Sequence, residues 1–280
     1  MFYLLYYLIQ MKILFNKNDL NEALNNVSNL GFVPTMGSLH KGHVSLIKKS
    51  IKDCSKTIVS IYVNPKQFNN KNDFDNYPRN NKKDLLILKK LKVNYVYLPR
   101  TQDIYDSYKI NKIKISKKDQ ILCANFRRGH FEGVIDVMNR LTKIIKPKKI
   151  FMGEKDFQQL FLVRKFISKK NHCKIIECKT IRNSGKVALS SRNLLLKNHE
   201  LIKASKIAQN LILFKKIIDN QKEIGNLIKL KKHELIKLFN IKIEYLELRN
   251  KLNLKLSKKG LNSKIFFAYY INRIRLIDNF

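Results

Sequence analysis

Short apolar segments typical of buried strands alternate with helical patterns along the first two thirds of this chain. The clearest segment is 57–63 (TIVSIYV), a continuous and largely β-branched run. Runs of this kind are buried on both faces in parallel sheets. Because strands alternate with helices, the pattern predicts an α/β fold built on a Rossmann-like, doubly wound parallel sheet. Ligands of such sheets bind beyond the carboxyl ends of the strands.

The elements predicted for this sheet extend from residue 12 to residue 181. We expect strands at 12–15, 30–33, 57–63, 93–98, 149–152 and 173–181. We expect helices at 18–29, 44–54, 81–91, 134–145 and 157–169, with Asn18 as the cap of the first. The polar residues 69–76 predict a loop, and alternating Ile and Lys over 109–115 predict an edge strand or a hairpin.

The pattern changes after residue 181. A loop rich in Ser, Gly and Arg precedes helical patterns at about 198–218 and 221–239. Strand-like runs follow at 241–249, weakly near 252–256, and at 265–270. We therefore predict a Rossmann-like domain over 11–181 and a smaller α+β C-terminal domain over 182–280. Residues 1–10 are apolar but too short to span a bilayer, so we expect an N-terminal extension ahead of a functional start at Met11.

The formal net charge is +36, from 57 Lys and Arg against 21 Asp and Glu. A balance this basic usually indicates a nucleic acid or an anionic surface as partner. The lysines are nevertheless spread over all predicted elements, and the chain shows no arginine-rich arm, RNP motif or zinc-finger spacing. We expect only weak, non-specific nucleic-acid binding and no membrane partner. Cys54, Cys123, Cys173 and Cys178 show no CxxC spacing, which predicts reduced thiols.

The turn after the strand at 30–33 has the sequence PTMGSLHKGH, residues 34–43. Its glycines let the backbone approach a phosphate closely, and the following helix supplies free N–H groups and a positive dipole end. His40 and His43 are suited to donate hydrogen bonds to the charge that develops on a displaced phosphate. The stretch therefore predicts a nucleoside triphosphate site. A lone HxGH is common by chance, and a histidine at a helix start is more often a cap.

Three further polar turns carry chemistry. The LSSR sequence at 189–192 offers two hydroxyls and a guanidinium suited to phosphate, although alone it favours a helix-capping loop. The GEKD sequence at 153–156 provides Lys155 to neutralise phosphate charge, with an exposed charge run as the alternative. Asn64 and Gln67 are amides suited to hydroxyl and carboxylate groups, with an Asn-Pro turn as the alternative.

These motifs together resemble the pantoate–β-alanine ligase family, in the nucleotidyltransferase superfamily that shares HxGH with class I aminoacyl-tRNA synthetases. The resemblance covers residues 11–280. It rests on PTMGSLHKGH, SIYVNPKQF, YPR at 77–79, RRGHFEGV, FMGEKDFQQL and ALSSRN, and on YLELR at 245–249 and RLIDN at 275–279.

The resemblance implies an ATP-dependent ligation in two steps. The carboxylate of pantoate would attack the α-phosphate of ATP, giving pantoyl adenylate and pyrophosphate. The amine of β-alanine would then displace AMP to give pantothenate. The resemblance also implies Mg²⁺ with ATP and a cytoplasmic homodimer. The 11–181 domain would bind ATP and pantoate, and the 182–280 domain would close over them and exclude water.

The resemblance also implies which residues contact the nucleotide. His40, His43 and Lys155 would be catalytic, and 189–192 would be the counterpart of the synthetases' KMSKS loop. The residues expected to line ATP are Met36, Gly37, Ser38, Leu39, His40, Lys41, Gly42, His43, Gly153, Glu154, Lys155, Asp156, Ile181, Leu189, Ser190, Ser191 and Arg192.

A second set of residues is implied for the other ligands. Gln67 and Gln159 would hold pantoate, and Gln67 would also hold β-alanine. Asn64 and His130 would support this site, and Asp84 is a candidate for a contact with Mg²⁺.

The chain departs from the family pattern at three positions. Lys41 stands where an acidic residue is common, and Arg128 and Lys179 stand where proline is usual. Two alternatives remain open. One is a nucleotidyltransferase of the same superfamily that leaves the nucleotide on its product, and the paired Gln67 and Gln159 favour a hydroxy acid acceptor instead. The other is a nucleic-acid-binding protein, which the charge suggests.

Overall fold

Six parallel strands form one sheet within the part of the chain that the computed structural model describes, residues 11–106, 113–168, 171–219, 221 and 224–280. They are β1 (Lys12–Leu14), β2 (Leu30–Thr35), β3 (Lys56–Ile61), β4 (Tyr95–Tyr97), β5 (Lys149–Gly153) and β6 (Lys174–Cys178). Their order across the sheet is β1-β4-β3-β2-β5-β6, and every pairing is parallel. The predicted Rossmann-like, doubly wound sheet is confirmed, with its direction of winding reversed between β2 and β5.

Helices connect these strands and cover the sheet. They are α1 (Lys17–Leu24), α2 (Lys41–Asp53), α3 (Lys71–Asp75), α4 (Asn81–Lys90), α5 (Thr101–Tyr105), α6 (Cys123–Phe126), α7 (His130–Ile145) and α8 (Phe157–Val163), which continues as a π-helical turn, Arg164–Ser168. Short 3₁₀ turns occupy Pro65–Gln67, Lys117–Asp119, Glu154–Asp156 and Ser191–Leu195. Ile47 of α2 packs with Val33 and Val59 in a buried cluster, so apolar packing fixes α2 on β2 and β3.

Three local features differ from the predictions. The cap of α1 is Asn16 rather than Asn18, because Asn16 has extended backbone and its side chain accepts the first free N–H groups. Within the predicted loop at 69–76, α3 forms a short helix that Asn70 caps in the same way. The helix predicted from residue 134 begins at His130.

Several predicted segments lie outside the described residues. These are the N-terminal extension at 1–10, most of the edge strand or hairpin at 109–115, and residues 169 and 222–223 of two predicted helices.

A second, antiparallel sheet of three strands lies among the described C-terminal residues, with β7 (Lys242–Asn250), β8 (Ser263–Ile271) and β9 (Ile274–Asn279) in that order. Two helices, α9 (Asn198–Ile218) and α10 (Gly225–Phe239), contribute Leu211 and Leu235 to a buried core that also contains Phe267 of β8. The predicted α+β character is confirmed. The weak strand predicted near 252–256 is wrong, because that segment makes a single bridge, from Leu256 to Arg249.

The described residues divide into two compact units. The first contains the parallel sheet and comprises the residues up to Gln120, Arg127–Glu154 and Gln159–Lys179. The second comprises Ile121–Phe126, Lys155–Gln158 and Thr180–Phe280. The domain boundary at 181/182 stays a prediction. None of the helices in the described ranges has both the length and the apolar character needed to cross a membrane.

Candidate active site

A tight turn between β2 and α2 contains the HxGH stretch. Gly37 (φ 79°) and Ser38 (φ 52°) both adopt left-handed backbone, which glycine tolerates without steric cost. The hydroxyl of Thr35 fixes the start of the turn, since it donates to the Ser60 carbonyl (2.7 Å) and accepts from the Gly37 N–H (3.2 Å). The turn therefore begins at the carboxyl end of β2, the edge at which a ligand of such a sheet is expected.

The carboxylate of Asp84, on α4, holds the middle of this turn. It accepts from the N–H groups of Ser38 (2.7 Å) and Leu39 (2.8 Å), and Asp84 is only 1% exposed. A Cβ on Gly37 would lie 3.0 Å from Asp84 Oδ2, so the glycine gives the carboxylate room. Each oxygen of the predicted Mg²⁺ contact thus already accepts a backbone hydrogen bond. No group of three or more His, Cys, Asp or Glu suited to a metal occurs in the described part of the chain, and the metal contact stays a prediction.

His40 and His43 form the start of α2, and both accept backbone hydrogen bonds through Nδ1. His40 Nδ1 accepts from the Gly42 N–H (3.1 Å), and His43 Nδ1 accepts from the His40 N–H (3.3 Å). A nitrogen that accepts a hydrogen bond carries no hydrogen, so each ring bears its hydrogen on Nε2. The ring centroids are 4.1 Å apart. The two histidines cap the helix and, by doing so, become adjacent hydrogen-bond donors.

The 3₁₀ turn Pro65–Gln67 follows β3 and carries the amides predicted to bind substrate. Asn64 and Gln67 are 1% and 8% exposed. Asn64 Nδ2 donates to the Gly133 carbonyl (3.1 Å) and to Gln67 Oε1 (3.4 Å). Gln67 Nε2 lies 2.8 Å from Met36 Sδ. Residues predicted to bind pantoate and ATP are therefore in direct contact.

His130 fixes the backbone of the same turn. Its Nδ1 lies 2.7 Å from the Gln67 carbonyl. Because a carbonyl can only accept, Nδ1 carries the hydrogen, and Nε2 accepts from Arg127 Nη1 at 3.1 Å. His130 thus supports Gln67 rather than facing a ligand with both nitrogens.

The three departures from the family pattern all lie on the surface. Lys41, Arg128 and Lys179 are exposed. The Arg128 carbonyl accepts from the side-chain amide of Asn69, which ties this loop to the segment after Gln67. None of the three replaces a buried partner of the amides or histidines described above.

An ion pair between the half-buried Arg182 and the buried Asp278 anchors the segment that leads into the LSSR loop. Arg182 donates to both oxygens of Asp278 (2.7 and 2.9 Å) and to the Asn279 carbonyl (3.0 Å). Burial raises the pKa of the Asp278 carboxyl, and the guanidinium of Arg182 opposes that shift. The bidentate geometry therefore compensates a carboxylate that has been removed from water.

The LSSR loop itself is ordered by short-range hydrogen bonds. The Leu189 N–H donates to the Ile181 carbonyl (2.9 Å). The Ser190 hydroxyl accepts from the Arg192 N–H (3.3 Å) and so caps the 3₁₀ turn Ser191–Leu195. The loop therefore has the capping role that its sequence favours, and Arg192 also lines a cleft.

That cleft lies within the second unit and is rich in cations. Its lining includes Lys155, Ser190, Arg192, Arg275 and Asp278. The Lys155 backbone is held by Asn279, whose Nδ2 donates to its carbonyl (2.8 Å), and Lys155 Nζ is 3.5 Å from Asp156 Oδ1. Arg275 is paired with Glu244 Oε2 (2.6 Å), so Lys155 and Arg192 are the cations of this lining that suit an anionic group such as a phosphate.

The remaining predicted residues follow β5. Gly153 ends the strand with open space where a Cβ would lie. Glu154 is half-buried and Asp156 is exposed, and Gln159 lies half-buried on α8. The predicted residues thus form two groups, one in each unit.

Comparison with known proteins identifies the family. Residues 12–280 match the family model described as Pantoate-beta-alanine ligase. The chain is 36% identical over 264 residues to the pantothenate synthetase of Fervidobacterium nodosum, covering 92% of this chain and 93% of that protein. It is 37% identical over 267 residues to that of Francisella tularensis subsp. novicida, covering 94% and 93%. The chain belongs to the pantoate-beta-alanine ligase family. It is therefore a ligase of that family.

Solved structures of the family share the fold of the ligase. Pantothenate synthetase from Thermus thermophilus matches with a TM-score of 0.90 at 26% identity, covering 96% of this chain and 99% of that chain. The pantoate-beta-alanine ligase from Francisella tularensis, complexed with beta-gamma ATP and beta-alanine, matches with a TM-score of 0.81 at 36% identity, covering 97% of each chain.

Some contributors to the site of the ligase have no sequence signal of their own. Thr35 lies in the PTMGSLHKGH turn, but it meets the Ser60 carbonyl only because β2 pairs with β3. Tyr105 carries no motif, yet its hydroxyl donates to Asn64 Oδ1 (2.9 Å). Arg182 lies outside the LSSR motif that it anchors. In each case the partner is distant in sequence, so only the fold brings the pair together.

Proposed function

We propose that the ligase condenses pantoate with β-alanine through a pantoyl-adenylate intermediate and releases AMP and pyrophosphate. The observation that carries this proposal is the pair of Nε2 donors at the start of α2, which the capping hydrogen bonds of His40 and His43 impose. In-line attack on phosphorus requires positioning and stabilisation of charge more than covalent chemistry from the protein. Two fixed donors at a helix N-terminus supply both.

The predicted site residues of the two units would have different roles. Met36–His43 would bind the phosphates, and Lys155 and Arg192 would neutralise the charge that leaves with pyrophosphate. Gln67 and Gln159 would hold pantoate with its carboxylate toward the α-phosphate. Gln67 would also contact β-alanine in the second step. The cation-rich cleft of the second unit supports the role of Lys155 and Arg192.

Mg²⁺ would accompany ATP. Magnesium commonly binds through substrate phosphates, a few waters and one or two carboxylates. Bound to ATP, the ion would shield the phosphate charge.

We further propose that the ligase is a homodimer and that it acts in the cytoplasm.

Pantoate-dependent exchange of labelled pyrophosphate into ATP, with Mg²⁺ and without β-alanine, tests this proposal. Exchange that requires pantoate would establish reversible formation of the adenylate. Addition of β-alanine should then release free AMP, whereas a stable nucleotidyl product would indicate a nucleotidyltransferase of the same superfamily. ATP binding without exchange would overturn the assignment of pantoate as the acceptor.

A further inference from the structure

The side-chain amide of Asn64 has only one orientation compatible with its surroundings. Its Oδ1 accepts from the Lys66 backbone N–H (3.2 Å), which can only donate. Its Nδ2 donates to the Gly133 carbonyl (3.1 Å), which can only accept. A flipped amide would set donor against donor and acceptor against acceptor in a site that is 1% exposed. The backbone therefore fixes which end of Asn64 faces which neighbour.

Tyr105 reinforces this orientation. Its hydroxyl is 2.9 Å from Asn64 Oδ1, and an amide oxygen cannot donate, so the phenol does. Burial raises the pKa of the Tyr105 phenol, so the hydrogen is present throughout the neutral range. The ring is held in place by two cations, with Lys66 Nζ 3.7 Å and Arg140 Cζ 4.7 Å from its centroid.

The orientation of Asn64 passes to Gln67. Asn64 Nδ2 points at Gln67 Oε1 (3.4 Å), which makes that oxygen the acceptor and directs the Gln67 NH₂ group away, beside Met36. We propose that Tyr105 is a positioning residue for pantoate binding. Together with the Lys66 and Gly133 backbone groups it holds Asn64, and through Asn64 it keeps the Gln67 amide turned so that its NH₂ group, and not its oxygen, meets the substrate.

This inference rests on the proposed function and adds a rule of selectivity to it. An NH₂ group is a donor and therefore binds the carboxylate or hydroxyl oxygens of pantoate. It cannot accept from the ammonium of β-alanine, so any contact of the Gln67 NH₂ group with that substrate is through the carboxylate.

The first test is Tyr105→Phe, which removes the hydroxyl and keeps the ring between its cations. We expect the KM for pantoate in the exchange reaction to rise about threefold to tenfold, the effect of one hydrogen bond, with kcat and the KM for ATP nearly unchanged. The matched control is Tyr62→Phe. Tyr62 is buried in the same unit and donates to Thr101 (3.1 Å) instead, so its variant should keep the wild-type KM for pantoate.

The second test reverses the polarity of the amide. Asn64→Asp keeps the acceptor for Lys66 and Tyr105 but replaces the NH₂ group by an oxygen that faces both the Gly133 carbonyl and Gln67 Oε1, so Gln67 must turn its own NH₂ group inward. We expect the KM for pantoate to rise on the order of a hundredfold, because the substrate would then meet an oxygen. Asn72→Asp, an exposed position on α3, adds the same charge and should leave the KM unchanged.

A double-mutant cycle decides whether the effect passes through Gln67. In a Gln67→Ala background, Tyr105→Phe should no longer change the KM for pantoate. The same increase in both backgrounds, or an equal increase for the Tyr62→Phe control, would overturn the inference. Wild-type enzyme that shows no pantoate-dependent exchange would instead refute the proposed function, which separates the two failures.

Discussion

Replacement of Asp84 by Asn probes the support of the HxGH turn. The two side chains have nearly the same size, but the amide has only one acceptor oxygen. One of the N–H groups of Ser38 and Leu39 keeps its partner, and the other faces an NH₂ group. Since Asp84 is 1% exposed, water cannot replace the lost acceptor.

The magnitude follows from those two contacts. A hydrogen bond to a charged group contributes about 1.5–3 kcal/mol, and a buried N–H without a partner costs about 1–3 kcal/mol. Both energies describe in part the loss of the same hydrogen bond and do not simply add, so we expect the free energy of unfolding to fall by about 2–4 kcal/mol. In a protein of this size the melting temperature should fall by roughly 5–15 °C. Because the turn would relax, the KM for ATP should rise as well.

Calorimetry of the protein without ATP or Mg²⁺ measures this effect directly. Asp75→Asn is the matched control, since it removes the same charge from an exposed position on α3 and should change the stability by less than about 0.5 kcal/mol. Equal melting temperatures for the two variants would refute the reasoning. An Asp84→Asn variant that melts normally but requires more Mg²⁺ would support the metal contact instead.

Three further changes probe other parts of the site. His43→Ala should lower the rate of adenylation at saturating substrates on the order of a hundredfold, and a loss of ATP affinity with unchanged rate would show that its Nε2 does not serve the transition state. Gly133→Ala would place a Cβ 2.3 Å from the Lys66 carbonyl oxygen, so both the melting temperature and the affinity for pantoate should fall, and wild-type values for both would contradict the close packing. Arg182→Ala should lower the free energy of unfolding by about 3–5 kcal/mol because Asp278 is left buried without its partner, and chemical denaturation that shows less than about 1 kcal/mol would argue against the pair as an anchor.

The parallel sheet could be predicted because its central strands carry long apolar runs that only burial on both faces explains. By contrast, β9 was not predicted, because its sequence IRLIDN has neither a regular alternation nor a continuous apolar run, and its pairing with β8 depends on a tight turn between them. The helix α3 was missed because its stability comes from the cap at Asn70, which outweighs a polar composition.

In the candidate site, too, some residues could be predicted from the sequence and others could not. The histidines and amides could be predicted because they occur in short, contiguous motifs. The role of Asp84 could not, because its partners lie 45 and 46 positions away and meet it only when α4 packs beside β2. Tyr105 and Arg182 were missed for the same reason, since a side chain that acts on another side chain leaves no local pattern.

The hydrogen bonds that cap α2 tie the chemical form of its two imidazole rings to the folding of its first turn. Each Nδ1 accepts its backbone N–H only while that turn is formed, so the fold itself selects the tautomer of each ring. A substitution that unwinds the start of α2 would therefore release both rings together, and the two Nε2 donors would be lost in one event.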